Sequence, residues 1–307
     1  MIDICYTVLH YGKEDITIKC IKSLIRVSKD YRFKIIVLDN GSENDSFKKI
    51  QSRFDGVESV LCLRSNENLG FSRGNNLLYQ EAKRFEPGFI AVLNNDIEIT
   101  QKDFIKTLMA VSNDSDAYVI GPDVYCPTGK RHQSPLYKSI PALDQLEEMM
   151  KDFYEIVNHP EEKWNMAEGE RMVDVIRSIL PQFIVNFSLY FKHAIKGTEP
   201  DLKYKNEIIN PVFQGACIIL TKRFIQKEDV LFEPDTNFYL EELLLAHRCR
   251  EKNYKTLYTP RLKVIHHHSY ATRHSSKNNK DHTIKTAQRL ISAFEVYKKT
   301  VKAAENI

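Results

Sequence analysis

The chain contains neither Gly-x-Gly-x-x-Gly nor Gly-Lys-Ser/Thr, so both common fingerprints for binding phosphate on a glycine loop are missing. No stretch approaches about 18 uninterrupted apolar residues, and no membrane-spanning helix is expected. The opening Met-Ile-Asp-Ile-Cys has no basic segment before a long apolar core, unlike a secretory leader. The six cysteines, at 5, 20, 62, 126, 217 and 249, never form Cys-x-x-Cys, and several sit in apolar runs as small hydrophobes. That usage suits a reducing cytoplasm rather than a disulfide framework. A net charge of only +3 over 307 residues makes the molecule a weak attractor of nucleic acid, which is not expected as a partner.

What is present is a regular alternation. Apolar runs at Ile2–Leu9, Phe33–Leu38, Val57–Leu63 and Phe89–Leu93 read as strands, and Ala117–Ile120 as a fifth. Between them, Asp15–Val27, Asp45–Phe54, a segment from Gly70 to about Phe85, and Lys102–Val111 read as helices. Strand and helix exchanged at this spacing imply βαβ units and a mainly parallel sheet flanked by helices. Right-handed crossovers then bring Tyr11, Asp39, Asn68 and Asp96 to one edge of that sheet. The first α/β half is expected over residues 1–125. Residues 126–210 break the rhythm with turn-formers and then acidic helical sequence around Leu143–Val157, and read as a mostly helical insertion. Within it, 175–195 is apolar and aromatic but interrupted by polar residues. It suits equally a lid on the sheet and a face that leans on a membrane or an acceptor.

Regularity returns over 211–270. Pro211–Thr221 reads as a strand, Asn237–Arg250 as a loop running into a helix, and Tyr254–Tyr258 and Leu262–Ile265 as two short extended pieces. The tail, 271–307, carries eight Lys/Arg against two acidic residues between Arg273 and Lys302. From Ile284 it shows the apolar spacing of an amphipathic helix with a basic face, suited to an anionic lipid surface or a partner helix.

Several clusters could carry chemistry. The run Phe89–Leu93 stops on Asn94-Asn95-Asp96, at a strand's carboxyl end, where open α/β sheets collect ligands. A carboxylate beside amide oxygens there suits a hard divalent cation, although the same residues suit a turn or helix cap. Asp39 ends another strand before a glycine turn, fit either to bond a nucleobase or ribose or simply to make the turn. Asn66–Asn76 places Gly70 and Gly74 around Arg73, so backbone can pass close to a ligand whose phosphate Arg73 could meet. Glu241-Glu242 opens a helix; adjacent carboxylates resist joint ionisation, as an acid/base pair would, yet acidic first turns are also common and inert. His266-His267-His268 ends a late strand. Neighbouring side chains there alternate in face, so one of the three, with Asp96, would make an oxygen/nitrogen site fit for Mn²⁺ or Mg²⁺.

Taken in order, strand-Asp-Asn-Gly-Ser, Asn-x-Gly, strand-Asn-x-Asp, strand-x-Gly-x-Cys, Tyr-Leu-Glu-Glu and Val-Ile-His-His-His-Ser resemble family 2 glycosyltransferases of the GT-A fold, notably those building bacterial capsular, exo- and O-antigen polysaccharides. The resemblance covers about residues 2–125 and 211–270. It implies inverting transfer of a sugar from a nucleotide-sugar, UDP- or dTDP-linked, to a saccharide acceptor that is commonly lipid-linked, at or near the inner membrane face. It implies nucleoside contacts at Leu9, Tyr11 and Asp39, and base and diphosphate contacts along Asn68, Gly70, Arg73 and Asn75, with Asn95 beside them. The family's Asp-x-Asp is here Asn94-Asn95-Asp96. Asp96 therefore carries most of the metal coordination, with Asn94 and His266, and the first carboxylate of the family's pattern is missing. Glu242 matches the base and Glu241 its neighbour. Two other readings are a nucleotidyltransferase, which the lack of a glycine-rich basic loop after the first strand disfavours, and a nucleotide-sugar-binding scaffold without activity.

Overall fold

Strand β1 (Ile2–His10) lies at the middle of the parallel half because its residues are apolar on both faces: Ile4, Tyr6 and Val8 enter one core and Cys5 the other. The computed structural model describes residues 2–128, 130–163, 203–233, 236, 238–267 and 279–305. After β1 come α1 (Glu14–Ser28), β2 (Phe33–Asn40), α2 (Ser46–Arg53), β3 (Val60–Ser65), α3 (Gly70–Lys83) and β4 (Pro87–Asn94). β2 and β4 both pair with β1 in parallel, and β3 pairs with β2, giving the order β3-β2-β1-β4. The register sets His10 beside Asp39, Asp39 beside Arg64 and Leu9 beside Asn94, so the strand ends form one edge. The parallel sheet and its edge are those the alternation predicts.

Beyond Asp96 the chain makes a short β5 (Ile97–Glu98), α4 (Phe104–Ser115), β6 (Val119–Cys126) and β7 (Arg131–His132). Then follow α5 (Leu143–Asn158), a single turn α6 (Pro160–Lys163), β8 (Ile208–Ile209), β9 (Cys217–Thr221) and α7 (Lys222–Lys227). The described chain closes with α8 (Glu241–Glu251), β10 (Thr256–His266) and α9 (Asn279–Glu305). The sheet continues β4-β9-β6-β10-β5, with β9 antiparallel to both β4 and β6.

Two expected elements differ. The strand expected over Pro211–Thr221 is confined to Cys217–Thr221, because the preceding backbone is engaged elsewhere. Val212 exchanges bonds with Tyr137, and the Ala216 amide donates to the Gln214 side chain at 2.7 Å. The two short pieces expected near Tyr254 and Leu262 are one strand, β10, interrupted where Thr259 pairs with Pro122 and Lys263 with Asp123. Pro260 sits in this irregularity, where the lack of an N–H costs the ladder nothing. The apolar stretch at 175–195 lies outside the described residues.

Alternate side chains of the strands feed two cores, one under α1, α2 and α4 and one under α3 and α7. A third core lies among helices: Leu146 and Met150 of α5, Leu243 and Leu244 of α8, and Phe294, Tyr297 and Val301 of α9. The amphipathic face expected of the tail is therefore packed against its own protein. Its charge is also partly met by the acidic α5, through Lys298–Glu147 at 3.1 Å and Lys280 with Glu161 of the next turn. Lys285 and Lys299 remain on the outer side. Phe294 is 1% exposed, and truncation there leaves a cavity under the helix that carries the glutamate pair. Phe294→Ala should lower the unfolding free energy by about 3–5 kcal/mol, read from urea denaturation monitored by circular dichroism.

Candidate functional site

Asp39 is fully buried at the carboxyl end of β2 and held on three sides. The Arg64 Nε lies 3.2 Å from its Oδ2, the Ser42 amide donates to its Oδ1 at 3.3 Å, and the His10 ring lies 3.9 Å away. Arg64 also donates to the Ser42 carbonyl at 3.0 Å and lies over the Phe47 ring. Gly41, with φ +75°, makes the turn possible. A side chain there would lie 2.5 Å from the backbone of Glu67, so this loop and the start of α3 are in direct contact.

That contact is reinforced by Asn40, which accepts from the Leu69 amide at 2.9 Å and donates to the Gly70 carbonyl at 3.0 Å. Asn68 receives the Gly70 amide at 2.9 Å. Leu9 packs on Gly74 so closely that a methyl group at 74 would lie 2.8 Å from it. Asn75 turns inward and donates to the Phe71 carbonyl, whereas Arg73 is on the exposed side of α3. Tyr11 is 46% exposed, just past the end of β1. Leu9, Tyr11, Asp39, Asn68, Gly70 and Arg73 thus gather along one stretch of the sheet edge.

Residues that sequence reasoning did not single out join this stretch to Asn95. The Asn95 amide donates to the Thr17 hydroxyl at 3.0 Å, Thr17 lies 2.7 Å from His10 Nδ1, and His10 Nε2 lies 2.9 Å from the Ser46 hydroxyl. One consistent assignment has Thr17 donating to Nδ1 and Nε2–H donating to Ser46, which requires a neutral ring. Burial supports it by pushing the His10 pKa down to about 4, against the opposite pull of Asp39 and Glu14. A histidine closing an apolar strand was visible in the sequence, but nothing there marked its partners.

Asp96 is buried where β4 ends, and β5 begins at the next residue. β5 pairs with the last residues of β10, Ile97 opposite His266 and Glu98 opposite Ile265, and the His267 amide donates to the Asp96 carbonyl at 3.0 Å. The pairing delivers His266 to Asp96, with Nε2 3.2 Å from Oδ1, while the other ring nitrogen lies 2.7 Å from Gln133 Oε1. His267 takes the opposite face and bonds Glu98 at 2.7 Å, as strand alternation requires. A cavity of about 320 Å³ opens beside Asp96, walled by Lys19, Glu98 and His267. Among the described residues no group of three or more His, Cys, Asp or Glu could hold a metal ion. A cation here would take Asp96 and His266 as donors, with further oxygens completing its shell. The donor set fits: ligands at right angles with bonds of about 2.1 Å lie about 3 Å apart, near the Asp96–His266 separation. The Asn94 amide donates to the Ala216 carbonyl at 2.9 Å, tying the Asn94-Asn95-Asp96 turn to the start of β9.

One residue before Ala216 is Gly215, and its missing side chain is occupied by Glu242. A methyl group at 215 would lie 2.1 Å from Glu242 Oε1. Burial raises the Glu242 pKa, while amide N–H groups, including that of Gly215, favour its charged form. Glu241, 2% exposed, points toward Ser72 of α3. Burial first, and then the Glu242 carboxylate, push its pKa up to about 8. Leu240 enters α8 in the left-handed region, with φ 62°, so the chain turns sharply just before the pair.

A central sheet of mostly parallel strands flanked by helices is the architecture of the GT-A glycosyltransferases. The chain belongs to glycosyl transferase family 2, whose profile matches residues 7–196. Among solved structures, the fold is similar to GalNAc-T7 with UDP, GalNAc and Mn²⁺, at 11% identity and a TM-score of 0.53, over 87% of this chain and 44% of that one. It is also similar to S. aureus TarS 1–349, at 13% identity and a TM-score of 0.49, over 84% of this chain and 58% of that one. The chain thus spans about half the length of these structures. A search of curated protein sequences gives no match.

Two outcomes follow from the geometry. Unfolded His10 takes a proton below its ordinary pKa of about 6.5, whereas the native ring stays neutral down to about 4. Stability is therefore full above pH 6.5 and falls as pH drops toward 4. Between pH 7.5 and 5 the wild type should lose about 2 kcal/mol more than His10→Gln in urea titrations. Gly215→Ala should displace a flexible carboxylate end and not backbone, leaving the melting temperature within a few degrees of wild type.

Proposed function

We propose that the protein is an inverting glycosyltransferase that moves a sugar from a UDP- or dTDP-sugar to a saccharide acceptor in bacterial surface polysaccharide synthesis. The observation that carries this reading is the Asn94–Ala216 main-chain bond, which ties the turn bearing Asp96 to the backbone next to Gly215, where the Glu242 carboxylate lodges. Tyr11 and Asp39 would hold the nucleoside, with Asn68 and Gly70 shaping the wall between base and diphosphate. Asp96 and His266, with Asn94 at the same turn, would hold Mn²⁺ or Mg²⁺. Such an ion supplies charge neutralisation for the leaving diphosphate.

Glu241 and Glu242 divide the work by environment. Glu241, buried and beside a second carboxylate, keeps its proton near neutral pH. Burial raises the Glu242 pKa as well, and the Gly215 N–H that it receives pulls the other way, toward the carboxylate a base needs. The acceptor hydroxyl oxygen attacks the anomeric carbon from the face opposite the diphosphate, and Glu242 removes its proton. The anomeric carbon–oxygen bond breaks with its electron pair leaving on the diphosphate, toward which Arg73 brings positive charge. One displacement gives inversion. The acceptor is proposed to be lipid-linked and the protein to work at the cytoplasmic face of a membrane. With the apolar face of α9 packed inside, contact with anionic lipid would rest on outward lysines such as Lys285 and Lys299.

Calorimetric titration of UDP, dTDP and GDP with and without Mn²⁺ tests the donor site. One nucleotide should bind in a metal-dependent way, and Asp96→Ala should abolish that dependence. Glu242→Gln should keep nucleotide affinity within about twofold while transfer falls by about 10²–10⁴-fold, the usual contribution of a general base. Near-native transfer by Glu242→Gln would remove it from the base role.

A further inference from the structure

We infer that Gln133 is a positioning residue for the cation site: its side-chain carbonyl holds the proton of His266 on Nδ1 and so turns the Nε2 lone pair toward the position shared with Asp96. The inference rests on the reading of Asp96 and His266 as cation ligands. Gln133 Oε1 can only accept, so at 2.7 Å it requires a proton on Nδ1 of His266. In the neutral ring Nε2 then carries the lone pair, and Nε2 is the atom that lies 3.2 Å from Asp96 Oδ1. The alternative tautomer places Nε2–H on Asp96, which bonds the two ligands to each other and closes the space between them. Gln133 opposes that closure. A histidine that binds an ion through one nitrogen is commonly fixed by an acceptor on the other.

The surroundings of Gln133 fit this role because the residue is held before anything binds. Its amide donates to the Val124 carbonyl at 2.8 Å, fixing it beside the β6–β7 ladder, where Tyr125 pairs with His132 and Cys126 with Arg131. The preceding residue, His132, is clamped by Asp123 at 2.7 Å and stacked on Tyr204, with centroids 3.7 Å apart and an interplanar angle of 2°. β6 also runs beside β10, Tyr125 opposite Ile265, so this hairpin arrives next to His266 by register. The segment contributes a single oriented acceptor from outside the nucleotide-binding half.

The test measures Mn²⁺ binding by electron paramagnetic resonance in the presence of UDP, on the full chain, for wild type, Gln133→Leu and Gln133→Glu. Leucine removes the acceptor; glutamate can only accept and restores it. Gln133→Leu should weaken Mn²⁺ about 10–100-fold, the usual cost of losing such a partner, and Gln133→Glu should stay within about threefold of wild type. ¹⁵N-edited imidazole spectra of the metal-free protein give a second readout. They should show His266 as the Nδ1–H tautomer in wild type and Gln133→Glu, and as Nε2–H in Gln133→Leu. Mn²⁺ binding by wild type that is unaffected by leucine, or weakened equally by leucine and glutamate, would overturn the role of Gln133 alone. An Nε2–H tautomer in wild type would do the same. Absence of UDP-dependent Mn²⁺ binding in wild type would overturn the ligand reading of Asp96 and His266, and this inference with it.

Discussion

The short antiparallel pairing of β5 with the end of β10 is the constraint on which the site depends. Two residue pairs and one flanking main-chain bond join positions about 170 residues apart, and they do so within one residue of Asp96. Strand alternation then settles what each histidine does: His266 faces Asp96, while His267 faces Glu98. A slip of one residue would exchange the two, putting the wrong imidazole at the sheet edge. Register here is therefore a chemical specification as well as a structural one.

The same economy governs the glutamate pair. Two carboxylates in sequence cannot both ionise cheaply in a buried place, and the fold separates them by giving each a different neighbour. Both are deprived of water; Glu241 is directed at α3, and Glu242 at a glycine whose amide hydrogen favours its charged form. Gly215 serves by having no side chain, since the carboxylate occupies the volume that a methyl group would need. Its neighbour Ala216 is bonded to Asn94, so the acidic pair and the Asp96 turn are fixed to one piece of backbone.

Much of this was legible in the residues. Apolar runs ending on Asp39 and on Asn94-Asn95-Asp96 gave the parallel sheet and the edge where those strands stop, because a strand buried on both faces reads as an unbroken apolar run. The acidic helix at Leu143–Val157 was equally plain. Elements made by distant partners were not. β10 looked like two pieces because Pro260 interrupts its ladder, and only pairing with β6 on both sides of the break makes it one strand. Gln133 lies in a stretch with no period, and its relevance exists only where a hairpin meets His266. His10 carried a weak local signal, while Thr17 and Ser46 on either side of it are ordinary helix residues in sequence. The tail showed its apolar stripe correctly; the sequence could not say that α5 and α8 would cover it.

That covering has a consequence for how the protein is made. α8, which bears the glutamate pair, leaves Leu243 and Leu244 without their cover until α9, some thirty residues further along, has been synthesised and has folded back. During translation the first half can close its sheet β3-β2-β1-β4 from contiguous chain, while α8 waits. The interval in between exposes an apolar surface of the kind that chaperones attend.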